Sequence, residues 1–94
     1  MISIITPTYN SEEYLEVCIQ SIKNQKFEDY EHIIVDGGST DNTLEIIKKY
    51  EGTYPMRWVS EKDEGMYDAR KKGFNMAKGD IFCWLNSDDM YMQW

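Results

Sequence analysis

The sequence predicts an α/β fold in which four strands and three helices alternate as βαβαβαβ around a mostly parallel sheet. Three observations carry that expectation. Short strand-like runs recur at Ile2–Ile5, His32–Val35, Met56–Ser60 and Ile81–Leu85. The segments between them bear apolar residues at helical spacing. If the first two crossovers run in one direction and the third returns to the far side of strand one, the spatial order is 3-2-1-4, and right-handed crossovers put the first two helices on one face of the sheet and the third on the other. That order puts a topological switch point between strands one and four, where ligands of such sheets bind.

Each element has a local cause. Strand one begins almost at the first residue and is expected to stop at Thr6-Pro7-Thr8-Tyr9-Asn10, because Pro7 cannot donate to a ladder. Asn10 and Glu13 have the spacing of a capping box for the first helix. That helix carries Tyr14, Leu15, Cys18, Ile19 and Ile22 on its inner side. Strand two ends at Asp36 and is followed by Gly37-Gly38, which permit backbone angles other residues avoid. Ser39, Thr40 and Asp41 open the second helix, with Leu44, Ile47 and Tyr50 on one side and Ile46 beside them. Gly52 and Pro55 end it before strand three. The third helix is predicted from about Met66 to Lys78, with Gly79 as a C′ residue. Ile81–Leu85 reads as a buried strand.

Composition narrows the function. A chain of 94 residues makes one small domain. A formal charge of −7 argues against nucleic acid, whose binding rests on Lys and Arg. Cys18 and Cys83 lie in apolar patterns and read as small hydrophobes, and the lone His32 reads as structural or surface rather than catalytic. No stretch is long enough to cross a membrane. With no leader-like start, the expected compartment is cytoplasmic, or the inner face of a membrane.

The chemistry gathers at the strand ends. Leu85-Asn86-Ser87-Asp88-Asp89 follows the fourth strand. Two adjacent carboxylates there are either a polar turn or a site for a divalent cation, whose preference is for hard oxygen ligands. With the assumed strand order, the Pro7–Asn10 loop and Asp88-Asp89 flank the switch point, with Asp36 next door.

Ser3-Ile4-Ile5-Thr6-Pro7-Thr8-Tyr9-Asn10, Ile34-Val35-Asp36-Gly37-Gly38-Ser39-Thr40-Asp41-Asn42-Thr43, Asp68-Ala69-Arg70-Lys71-Lys72-Gly73, Gly79-Asp80 and Leu85-Asn86-Ser87-Asp88-Asp89 appear in that order. Together they resemble the nucleotide-sugar-binding N-terminal portion of a family 2 glycosyltransferase of the GT-A fold. The resemblance implies that Pro7, Thr8 and Tyr9 lie along a uridine, largely through backbone, and that Asp36 accepts from the uracil ring. It places Arg70 near the phosphates, although Lys71 stands where the family has Asn. Ser87-Asp88-Asp89 matches the DxD-type motif: Asp88 faces ribose or metal, and Asp89 binds the metal, Mn²⁺ or Mg²⁺. The implied function is inverting transfer of a sugar from a UDP-sugar donor to a saccharide or lipid-linked acceptor. The general base is expected downstream of residue 94, so the alternative is a nucleotide-binding module that cannot complete transfer. On this reading residues 1–94 form one domain truncated just after the DxD-type motif. The uncovered fourth strand and C-terminal tail would then favour self-association.

Overall fold

A computed structural model describes residues 1–24, 29–62 and 66–85. Its elements are β1 (Ile2–Thr8), α1 (Leu15–Lys23), β2 (Tyr30–Asp36), α2 (Thr43–Tyr50), β3 (Met56–Ser60), α3 (Met66–Met76) and β4 (Ile81–Trp84). The sheet order is β3-β2-β1-β4, and every neighbouring pair is parallel. This is the order assumed from the alternating pattern, with the third crossover returning past strand one.

Register explains the two cores. Ile4 and Ile34 face α1 and α2, where they pack among Leu15, Cys18, Ile19, Ile22 and Ile47. Ile5, Ile33 and Val35 point the other way and meet Ala69 of α3. Strands covered on both faces need continuous apolar runs, and Ile33-Ile34-Val35 is one. Each fully buried isoleucine contributes roughly 2 kcal/mol.

Several boundaries differ from expectation. β1 continues through Pro7 to Thr8, and Pro7 pairs with Val35. Odd residues of β1 face β4, whose ladder ends where the Leu85 N–H donates to the Ile5 carbonyl (2.9 Å). The nitrogen of Pro7 therefore lies one position beyond the last β1–β4 bond among the described residues. Asn10 does not cap α1: it is left-handed (φ 48°), and the helix starts only at Leu15, after a turn closed by the Ser11 carbonyl. α2 likewise starts at Thr43, later than expected. Gly79 is not in the left-handed region. It is small because a Cβ there would collide with Ser3 Oγ and the Met1 carbonyl. Among the described residues β4 lies at the edge of the sheet rather than buried, with Ile81 57% and Phe82 46% exposed and Phe82 edge-on to Phe74.

Two buried polar groups lock the sheet. Glu31 accepts from Ser3 Oγ (2.6 Å), Arg57 Nη2 (2.6 Å) and the Lys78 N–H (2.6 Å), tying the end of α3 to β1, β2 and β3. Burial raises its carboxyl, but these donors more than reverse that and hold it at about 2. His32 is enclosed, with Nε2 2.8 Å from Thr6 Oγ1 and Nδ1 2.7 Å from Tyr54 Oη. Burial pushes its imidazole down to about 3, so it is neutral, and of the structural and surface readings the buried one holds.

Candidate functional site

The carboxyl ends of β1, β2 and β3 carry one polar row. Thr8 pairs in register with Asp36, and Asp36 with Ser60. In a parallel sheet, register partners share a face, so the three side chains meet. Asp36 is 0% exposed and is the hub of the row. Its Oδ1 accepts from Thr8 Oγ1 (2.6 Å) and Ser39 Oγ (2.6 Å). Its Oδ2 accepts from the N–H groups of Gly38 (3.1 Å) and Ser39 (2.8 Å) and from Ser60 Oγ (2.9 Å). Burial raises the Asp36 carboxyl, yet the Ser39, Thr8 and Ser60 bonds bring it below the ordinary carboxylate range. Gly38 takes the positive φ (87°) that lets the chain fold back over the carboxylate.

Above this row the β1–α1 and β2–α2 loops are stitched together. The Asn10 N–H donates to Ser39 Oγ (2.9 Å), and the Thr40 N–H donates to Asn10 Oδ1 (2.8 Å). The Ser11 N–H donates to Thr43 Oγ1 (2.8 Å), and the Glu12 N–H to Asp41 Oδ2 (3.3 Å). Asp41 in turn accepts from the N–H (2.9 Å) and hydroxyl (2.5 Å) of Thr43. Two short loops thus form one surface with little freedom, from which the Tyr9 side chain projects, 63% exposed.

The expected site residues separate into three groups. Pro7, Thr8, Tyr9 and Asp36 are brought together at the ends of β1 and β2. Arg70, on the opposite face of the sheet, stacks its guanidinium over Trp84 at the end of β4, 4.9 Å from the ring centroid. Asp88 and Asp89 lie outside the described residues. Among the described residues no group of three or more His, Cys, Asp or Glu side chains could hold a metal ion. Ser39, Ser60 and the cross-loop role of Asn10 escaped the sequence reading. The available signal was the polar residue that ends each of the first three strands, in positions that register aligns.

This fold, with its strand-end loops gathered at the carboxyl edge of a parallel sheet, is an open α/β domain of the kind that binds ligands at that edge. Residues 3–93 match the family model described as glycosyl transferase family 2, and the chain belongs to that family. A PGL/p-HBAD biosynthesis glycosyltransferase of Mycobacterium tuberculosis is 40% identical over 91 residues, covering 95% of this chain and 36% of the relative. The structure of S. aureus TarS 1-349 in complex with UDP-GlcNAc superposes with a TM-score of 0.87 at 32% identity, over 93% of this chain and 26% of that one. The mannosyltransferase PcManGT from Pyrobaculum calidifontis, in complex with GDP-Man and Mn²⁺, gives 0.89 at 26% identity, over 96% and 28%. The chain therefore spans about a third of the length of this curated relative. No helix of the described residues is long and apolar enough to cross a membrane.

Proposed function

We propose that the chain forms the donor side of an inverting glycosyl transfer. A sugar carried on a nucleoside diphosphate, UDP first of all, passes to a hydroxyl of a saccharide or lipid-linked acceptor. The observation that carries this reading is the stitched pair of loops on the Thr8–Asp36–Ser60 row, at the carboxyl edge where switch-point ligands bind. A family relative with the same fold is known with UDP-GlcNAc.

On this reading Pro7 and Thr8 meet the nucleoside through backbone, since the Thr8 hydroxyl already donates to Asp36. Tyr9 offers an exposed ring to the base. Arg70 presents an exposed positive charge to the phosphates, held flat on Trp84 by a cation–π contact. Asp88 is assigned to the ribose or the metal. The donor set Asp88-Asp89 is two adjacent hard-oxygen carboxylates, which suits Mn²⁺ or Mg²⁺. When bound, the cation neutralises charge on the departing diphosphate, which a chain of net charge −7 would otherwise repel. Inversion by direct displacement needs a carboxylate base for the acceptor hydroxyl, and none of the described residues is assigned that role.

Binding of UDP, GDP and ADP, followed by tryptophan fluorescence, tests the donor class. UDP should bind most tightly. Equal binding of all three would remove the uridine assignment, and no binding of any would remove the donor site.

A further inference from the structure

Asp36 sits at the heart of the proposed donor site, yet its carboxylate is fully engaged inside the protein. Five donors converge on it: the hydroxyls of Thr8, Ser39 and Ser60, and the N–H groups of Gly38 and Ser39. A carboxylate offers about four lone-pair directions. The residue is also 0% exposed. A sixth donor, such as the imino N–H of a pyrimidine base, reaches it only by displacing one of the five.

The same bonds do something else. Ser39 Oγ donates to Asp36 and accepts from the Asn10 N–H (2.9 Å). Ser60 Oγ joins from the end of β3 (2.9 Å). A continuous hydrogen-bonded chain therefore runs from β3, through Asp36 and Ser39, to the loop that carries Tyr9. Thr8 adds a second tie to β1 (2.6 Å).

We infer that Asp36, with Ser39 and Ser60, is a positioning residue that fixes the two donor loops, and that a bound base meets Tyr9 and the backbone of residues 37–41 rather than the Asp36 carboxylate. This rests on the nucleotide-donor reading. It assigns Ser60, on a strand remote from the loop motifs, a part in nucleotide affinity.

A cycle between protein and ligand separates positioning from contact. UDP and its N3-methyl analogue are titrated into the unaltered chain and into Asp36→Asn. Positioning predicts that N3-methylation changes affinity by the same factor in both proteins, within about twofold, because uncoupled groups act additively. Both ligands should bind the variant more weakly, and its Asn10 and Thr40 amides should exchange faster with solvent. If Asp36 accepts from the base, the cost of methylation vanishes in the variant, and the inference falls. Should Asp36→Asn not fold, Ser60→Ala decides. Loss of the β3 tie should weaken UDP roughly two- to tenfold, the effect of losing about one hydrogen bond. Unchanged or tighter binding, as expected if Ser60 merely competes with the base, overturns the inference. No UDP binding to the unaltered chain removes the donor reading and the inference together.

Discussion

Acidification should loosen this domain through one residue before the buried carboxylates Glu31 and Asp36 contribute. His32 is the only histidine, it is fully buried, and its imidazole is held down at about 3 against an ordinary 6.5. Its ring nitrogens lie against the hydroxyls of Thr6 and Tyr54. Charging the ring would make both nitrogens donors inside an enclosed site. The folded state therefore stays neutral while the unfolded chain takes up a proton. The stability owed to neutral His32 is complete above 6.5 and is lost as pH falls below it toward the folded value. Integrating that difference from about pH 7 to about pH 5 gives a loss of roughly 2 kcal/mol. Glu31 and Asp36, both held low, add their own losses only below the ordinary carboxylate range. Small domains have little stability to spare, so the effect should be visible as a drop of about 1 M or more in the urea midpoint. The assay is urea unfolding by tryptophan fluorescence across this range, with the His32 ring protons followed by NMR. An unchanged midpoint, or a ring that titrates near its ordinary value in the folded protein, would refute the reasoning.

Other predictions follow from packing. Glu31→Gln should cost about 2 kcal/mol at neutral pH, because it leaves Arg57, only 38% exposed, without its carboxylate; thermal or urea unfolding reads this directly. Gly73→Ala should destabilise by about 1–3 kcal/mol, since the new methyl meets the buried Ile5 side chain at the α3–β1 contact; the same melts check it. Among the described residues the outer side of β4 has no neighbouring strand and Ile81, Phe82 and Phe74 are exposed, so self-association is the expected outcome. Sedimentation at tens of micromolar should show species above the monomer, and Phe82→Lys should return them toward it.

Strand existence was legible in the sequence because hydrophobic period is local, and once the strand order suggested by the alternating pattern was assumed, crossover handedness gave the side of each helix. Met56–Ser60 is a strand over the very residues expected. Helix starts were less legible. Asn10 and Glu13 have a capping-box spacing, but Asn10 is drawn away to serve the neighbouring loop, and a long-range bond to the Thr40 N–H outweighs a local cap. β4 looked buried because Ile81-Phe82-Cys83-Trp84-Leu85 is wholly apolar, whereas burial depends on what lies beyond the edge. In the site, the convergence of Thr8 and Asp36 followed from strand order. That Asp36 is saturated by Ser39 and Ser60 did not, since it depends on register between strands far apart in sequence.

The central claim is that the carboxyl edge of this sheet holds a nucleoside diphosphate with the help of Asp88 and Asp89. Calorimetric titration of UDP with and without Mn²⁺, in the unaltered chain and in Asp89→Asn, tests it most directly. The account predicts binding that Mn²⁺ strengthens and an Asp89→Asn variant in which that strengthening is lost. Binding indifferent to both the metal and the substitution would contradict the metal role, and absence of UDP binding under either condition would contradict the donor site itself.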